Sequence, residues 1–297
     1  MRVFVTGASG WIGSAVVEEL LAAGHHVLGL ARSAESAAKV KTLGAEALTG
    51  DLDDLPSLRA GVARADAVVH LANKHDWGNP EESDRAERAA VQAMLDKLAG
   101  TDRPFMVANA LSGLVEGRSV QETDPSPAVG PTADRGGSEN LALDYVANDV
   151  RSLVVRFAPS VHGTGDWGFV KFLTEAAHKH GVSRYVGDGA TQWSAVHRSD
   201  AARLIRLGLE HAPAGTRLHA VAEETISTRQ IAEAIGASLE LPVASIAPEK
   251  AAAHFGFVGD FFATTMTASS SLTRALLDWT PTGPGLLEDI RTGAYRG

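Results

Sequence analysis

The sequence predicts an α/β chain built on a doubly wound parallel sheet, with a smaller C-terminal part. Three observations carry that expectation. Strand and helix patterns alternate through the first half of the 297 residues. The strand runs are apolar at every position, which suits parallel strands covered by helices on both faces. A glycine-spaced turn joins the first strand to the first helix, where sheets of this class hold a ligand.

Arg2–Thr6 is a short β-branched and aromatic run, and Gly13–Ala23 carries Val16, Val17, Leu20 and Leu21 at helical spacing. His26–Leu30 reads as a strand, Ser33–Leu43 as an alanine-rich helix and Ala67–Leu71 as another buried strand. A helix over Ser83–Ala99, a strand Pro104–Val107, a helix Ser138–Ala147 and a strand Leu153–Phe157 continue the alternation. Between them Glu122–Gly137, with Pro125, Pro127, Gly130 and Pro131, is rich in turn residues. Helices over Phe169–His180, Asp200–Glu210 and Thr228–Ile235 precede a segment punctuated by Pro242, Pro248, Pro281 and Pro284.

Composition removes whole classes of function. Acidic residues outnumber basic ones, 36 to 27, giving a net charge of −9. That sign argues against nucleic acid or an anionic membrane as the main partner. The absence of cysteine excludes disulfides, thiolate catalysis and cysteine-ligated metal. The eleven histidines show no zinc-ligand spacing, so no metal is expected. No apolar run reaches the length of a spanning helix, and the opening Met1-Arg2-Val3-Phe4-Val5-Thr6-Gly7 is too short for a signal-peptide core. A soluble, cytoplasmic protein acting on a small molecule is expected.

Thr6-Gly7-Ala8-Ser9-Gly10-Trp11-Ile12-Gly13 lies between a strand and a helix, the context that gives a glycine fingerprint meaning. Gly7 permits a sharp turn, Gly10 lets amides approach a pyrophosphate, and Gly13 allows close helix–strand packing. The phosphates then sit on the positive end of the helix. Ser9, Trp11 and Ile12 complete the candidate loop. An NAD site usually places Asp or Glu after the second strand, to accept from the ribose 2′-hydroxyl. Here the sequence is Leu30-Ala31-Arg32-Ser33. Arg32 offers donors to a 2′-phosphate with Ser33 as a neutral partner, so NADP(H) is the expected cofactor. The plainer alternative is a solvated arginine at a helix start. Residues 1–160 thus read as an NADP-binding domain whose sheet is completed by later segments. Residues 161–297 read as a mainly substrate-binding part, interleaved with it.

These residues resemble the short-chain dehydrogenase/reductase superfamily, in its extended and atypical branches of the NAD-dependent epimerase/dehydratase kind. The resemblance covers nearly the whole chain and implies a Rossmann-type sheet. Gly50-Asp51-Leu52 resembles the family's adenine-contacting segment, so Asp51 and Leu52 are implied cofactor contacts. His70-Leu71-Ala72-Asn73 resembles its strand-four turn, implying the same for Leu71, Ala72 and Asn73. Arg156-Phe157-Ala158-Pro159-Ser160-Val161-His162-Gly163 resembles the segment along the nicotinamide, which adds Pro159 and Val161. Gly187-Asp188-Gly189 and Val196–Ala201 resemble the segment closing the substrate pocket. Relatives of this fold commonly dimerise through a helix pair, and a homodimer is implied by the same analogy.

The family's catalytic pair is Tyr and Lys four residues apart on a helix. The three tyrosines here, Tyr145, Tyr185 and Tyr295, have no lysine at that spacing. In Asp134-Arg135-Gly136-Gly137-Ser138-Glu139, Arg135 stands in for the tyrosine and Glu139 for the lysine. A guanidinium does not deprotonate in the working range, so Arg135 can donate hydrogen bonds but not act as a general acid. The bland alternative is an i,i+4 ion pair of Arg135 with Glu139. Val107-Ala108-Asn109-Ala110 lacks the usual upstream hydroxyl, for which Ser112 is the nearby substitute.

Candidate proton carriers are therefore sought elsewhere. Asp84 lies seven, eleven and fourteen residues before Val91, Leu95 and Leu98, near an inward helical stripe, though helix capping would also explain it. His75, beside Asp76 and Trp77, is a second candidate in a loop over the cofactor. His162 and His197 are weaker ones, and Trp11, Trp77, Trp167 and Trp193 are candidate walls of an apolar pocket. The expected function is an NADP(H)-dependent oxidoreductase passing hydride to or from a carbonyl, imine or activated alkene. Two alternatives stay open: a non-redox isomerase, epimerase or cyclase on the same fold, and a catalytically inactive NADP-sensing regulator.

Overall fold

The computed structural model describes residues 1–74, 76 and 78–296. β1 (Arg2–Thr6), α1 (Trp11–Ala22), β2 (His26–Ala31), α2 (Ala34–Thr42), β3 (Glu46–Thr49), α3 (Leu55–Ala63) and β4 (Ala67–His70) alternate without a break. α4 (Pro80–Leu98), β5 (Pro104–Ala110), α5 (Ser138–Asp144) and β6 (Arg151–Phe157) continue the alternation. Next come β7 (Ser160–His162), α6 (Phe169–His180), β8 (Ser183–Val186), β9 (Gln192–His197) and α7 (Arg198–His211). Then follow β10 (Arg217–Ala220), β11 (Glu223–Ser227), α8 (Thr228–Leu239) and β12 (Val243–Ile246). Four short helices end the chain: α9 (Ala251–Phe255), α10 (Val258–Phe262), α11 (Ser271–Leu277) and α12 (Leu286–Thr292). The helix expected over Ser138–Ala147 stops at Asp144, and residues 145–148 tighten into a 3₁₀ turn.

Seven parallel strands form the main sheet in the order β10-β6-β5-β4-β1-β2-β3. The order reverses at β1, so a crevice opens between the carboxyl ends of β1 and β4, the place where open α/β sheets bind ligands. Val3, Phe4 and Val5 of β1 are fully buried because helices cover both faces. Val16, Val17 and Leu20 of α1, with α7, fill one core, while Leu58 of α3 and Val91, Met94, Leu95 and Leu98 of α4 fill the opposite one. Each such side chain contributes about 1.5–3 kcal/mol when fully buried.

A third core lies outside the main sheet, among α6, α8, α10, α12 and β9. Trp193 belongs to it. Of the two readings of Trp193, wall of an apolar pocket or simple core, the second holds: it is fully buried, and its indole N–H donates to the carbonyl of Phe261 at 3.2 Å. Among the described residues no helix is long and apolar enough to cross a membrane.

Gly13 fixes how closely α1 crosses β1. A Cβ there would lie 2.0 Å from the carbonyl oxygen of Gly7, against backbone that has no freedom to retreat. Gly24, with φ +80° and nothing within 4 Å, would cost only backbone strain. Gly13→Ala is therefore expected to lose about 3 kcal/mol in urea unfolding and Gly24→Ala about 1 kcal/mol. Equal losses would contradict this account of the crossing.

Candidate active site

The glycine loop forms a cradle at the crevice. Gly7 has φ +69°, and a Cβ on it would lie 2.9 Å from the amide nitrogen of Ala72, so the loops after β1 and β4 touch. Gly10 donates its N–H to the carbonyl of Gly7 at 2.9 Å, closing the turn. α1 then begins at Trp11 with no side-chain cap, whereas Ser33 caps α2 in a capping box with Ser36. The first amides of α1, at Trp11 and Ile12, are the orphan donors that an anion satisfies. Trp11 donates its indole N–H to the carbonyl of Val161 at 2.7 Å, and the Arg198 guanidinium lies 4.1 Å above its ring. This contact ties the cradle to β7, next to Pro159.

The remaining candidate cofactor residues ring the same end of the sheet. Arg32 follows β2, is exposed, and has no hydrogen-bond or ion-pair partner among the described residues. Asp51 shapes its own loop by accepting from the amides of Asp53 and Asp54 at 2.9 and 3.0 Å. Leu52 is buried, while Ser9, Leu71, Ala72 and Asn73 are half-buried. Lys74 pairs with Asp53 at 2.8 Å, joining the loop after β4 to the loop after β3.

Arg135 and Glu139 do not form the i,i+4 ion pair considered above. Arg135, Gly136 and Gly137 all have left-handed backbone (φ 52°, 61° and 61°), and α5 begins only after them. A left-handed conformation at a non-glycine residue costs roughly 1–2 kcal/mol, and here two glycines share the turn. Gly136 fits against α4 because it has no side chain: a Cβ would lie 2.3 Å from the carbonyl oxygen of Asp84. The Gly136 carbonyl accepts from Arg88 at 2.8 Å.

The turn aims Arg135 at Glu87. The Nη2 of Arg135 lies 2.6 Å from Oε1 of Glu87, a side chain only 1 % exposed. His70 Nε2 approaches the same oxygen at 3.3 Å, and His70 Nδ1 lies 2.8 Å from Thr6 Oγ1. Burial would raise the Glu87 carboxyl, but Arg135 and His70 outweigh it and hold it at about 2. None of the glycine or serine motifs singles out Glu87. Its signal in the sequence is a lone carboxylate on the apolar stripe of α4, at spacings of 4, 7, 8 and 11 from Val91, Met94, Leu95 and Leu98. Asp84, one turn earlier, is half-buried. Its carboxyl is pushed above the usual range by burial and by the like charges of Asp134 and Glu87, against the amides of Arg135 and Gly136.

Glu139 serves a different centre. It accepts from Asn109 Nδ2 at 2.6 Å, from Arg156 at 2.5 and 3.1 Å, and from Arg217 Nε at 3.0 Å. Arg156 is fully buried and also donates to the Asp124 carbonyl at 2.7 Å, pinning the loop before the turn. Ser112 is exposed just beyond β5. His162 is buried against Asp289, its Nδ1 2.6 Å from Oδ2, and His197 caps α7 by accepting from the amide of Ser199. Trp167 is 58 % exposed. His75 and Trp77 lie outside the described residues.

The two carboxyls at this turn give opposite pH signatures. Asp84 binds its proton more tightly folded than unfolded, so its contribution is present at low pH and lost as pH rises through the raised value. Asp84→Asn is thus expected to raise Tm at pH 7 by about 1–3 °C, the gain vanishing below about pH 4. Glu87 contributes stability above its ordinary 4.5, which is lost as pH falls toward about 2. A gain from Asp84→Asn that grows on acidification would contradict both assignments.

Known proteins bear on this geometry. A family model of NAD(P)H-binding proteins matches residues 7–127. An uncharacterised protein of Schizosaccharomyces pombe is 41% identical over 295 residues, 99% of this chain and 100% of that one. A 4-hydroxy-2-methyl-3-oxo-4-farnesyl-3,4-dihydroquinoline-1-oxide ketoreductase of Stigmatella aurantiaca is 28% identical over 86% of this chain and 80% of its own. In fold, the chain is similar to a dTDP-glucose 4,6-dehydratase from Streptomyces venezuelae with NAD bound, at TM-score 0.79 and 21% identity, over 100% of this chain and 97% of that one. The strand order, the glycine cradle and these relatives converge: the chain belongs to one family with the Schizosaccharomyces pombe protein, matches the NAD(P)H-binding family model over residues 7–127, and shares its fold with the NAD-bound dehydratase.

Proposed function

We propose that this protein is an NADP(H)-dependent oxidoreductase that transfers hydride to or from a carbonyl, imine or activated alkene of a small organic substrate. The observation that carries the cofactor reading is the uncapped start of α1 behind Gly7 and Gly10, with Arg32 unpartnered at the ribose end and no acid after β2. The residues present fit the dinucleotide. Gly7, Gly10 and Gly13 leave backbone where side chains would intrude, and among the described residues no side chain caps the amides at the start of α1. Arg32 would fork onto a 2′-phosphate, which a carboxylate at that place would repel.

Bound there, the nicotinamide supplies or takes up the hydride. The chain's own part is position and field. Arg135, held at the β4 side of the crevice, donates a hydrogen bond to the acceptor's oxygen or nitrogen as electrons move onto it. It does so without giving up a proton. Asp84, whose carboxyl is raised and borders the same turn, is the group that passes one. The Stigmatella relative, a ketoreductase by name, supports a carbonyl as the acceptor.

Absorbance at 340 nm with a panel of aldehydes and ketones tests the reading. NADPH is expected to be consumed in preference to NADH, and Arg32→Ala to remove at least about ten-fold of that preference. Arg135→Ala is expected to lower kcat about 100-fold or more while NADPH binding stays within a few-fold. Near-wild-type turnover in Arg135→Ala would remove Arg135 from the chemistry, and substrate conversion with NADPH unspent would favour an isomerase.

A further inference from the structure

Behind Arg135 runs a line of buried polar contacts from Thr6 through His70 to Glu87. Thr6 is fully buried, and its Oγ1 accepts from the amides of Leu71 and Ala72, both at 3.2 Å. With its acceptor capacity filled, the hydroxyl donates to His70 Nδ1 at 2.8 Å. His70 is then the tautomer carrying its proton on Nε2, facing Glu87 Oε1 at 3.3 Å. That oxygen also accepts from Arg135 Nη2 at 2.6 Å. The line starts at the β4 turn that touches Gly7 in the glycine cradle and ends on the guanidinium. Its carboxylate is buried and unscreened, so it cancels most of the charge that Arg135 brings to the crevice. Around the pair the charges are mixed: Arg88 donates to the Gly136 carbonyl at 2.8 Å, and Asp134 lies near enough to Asp84 to act on it electrostatically, as Glu87 does. Three polar atoms of this group, His70 Nε2, Glu87 Oε2 and Arg135 Nε, are buried with no hydrogen-bond partner among the described residues. The partly exposed Arg135 guanidinium can therefore still donate to a ligand's neutral polar group, while the pair as a whole offers an anion no net positive charge.

We infer that Glu87 is a positioning and specificity-determining residue, which holds the Arg135 guanidinium and makes the site select a neutral carbonyl over the matching 2-oxo acid. The inference rests on the proposed role of Arg135 at the acceptor. Without Glu87 the same guanidinium would be an ordinary carboxylate receptor.

Glu87→Gln tests this directly, since it keeps an oxygen for Arg135 and removes the charge. Methyl pyruvate and pyruvate, compared by NADPH oxidation, present the same ketone as ester and as acid. The wild type is expected to favour the ester, and Glu87→Gln to shift the ratio of kcat/KM toward pyruvate by at least about ten-fold. A protein active on both with an unchanged ratio overturns the inference while leaving the oxidoreductase reading intact. A second readout needs no turnover. Phenylglyoxal labelling, followed by peptide mapping with Arg88 as internal standard, is expected to modify Arg135 at least about ten-fold faster in Glu87→Gln than in the wild type. Equal rates overturn the positioning role even if no carbonyl is reduced, a result that would count separately against the proposed function. Should Glu87→Gln fail to fold, Arg135→Gln carries the test. With the cation gone and the carboxylate kept, discrimination against pyruvate is expected to rise at least about ten-fold, and equal loss on both substrates overturns the inference.

Discussion

A carboxylate buried in an apolar layer has to be paired, and that requirement organises the candidate site. Glu87 sits on the face of α4 that otherwise packs Val91, Met94, Leu95 and Leu98 against the sheet, and it is 1 % exposed. Left alone there it would cost several kcal/mol of lost solvation. Its two partners come from opposite directions, His70 from the end of β4 and Arg135 from the turn before α5. Bringing Arg135 to it demands a left-handed turn pressed on the backbone of α4, which in turn demands glycine at 136. One buried charge thus dictates a conformation, a glycine and the orientation of a guanidinium at the sheet's switch point.

Arg135 and Glu139, the residues proposed to stand in for the family's usual pair, are bound in two separate centres. Arg135 is bound to Glu87, whose other neighbour is His70 at the end of β4. Glu139 is bound to Asn109, Arg156 and Arg217 and knits β5, β6 and β10 to α5. Arg156, fully buried, could not lie in the sheet without such a counter-charge. Glu139 therefore serves the packing of the sheet, while Arg135 serves the buried carboxylate beside β4.

Much of the fold was readable from residues 1–157, because parallel strands buried on both faces leave unbroken apolar runs such as Val3-Phe4-Val5 and Ala67-Val68-Val69. The glycine turn was readable too, since Gly7 and Gly13 answer to contacts within a few residues of themselves. What the sequence hid depends on long-range meetings. A helical continuation would have put Arg135 above Glu139. The left-handed run at residues 135–137 becomes evident only when α4 is seen beneath it, and two adjacent glycines are its one local trace. Likewise the sequence marks Glu87 only by its place on the apolar stripe of α4, and its partners His70 and Arg135, 3.3 and 2.6 Å away, come from distant segments. Trp193 shows the same limit, its burial decided by α10 and the C-terminal segments and not by its own neighbours in sequence.

The central claim is that Arg135 is the group that meets the reacting atom, with Arg32 meeting the far end of the cofactor. A crystal structure with NADP⁺ and a non-reacting neutral carbonyl ligand tests it most directly. The account predicts the ligand oxygen within about 3 Å of an Arg135 nitrogen, and the 2′-phosphate within the same reach of Arg32. A ligand oxygen held by other side chains, with Arg135 still closed on Glu87 and out of reach, would contradict it.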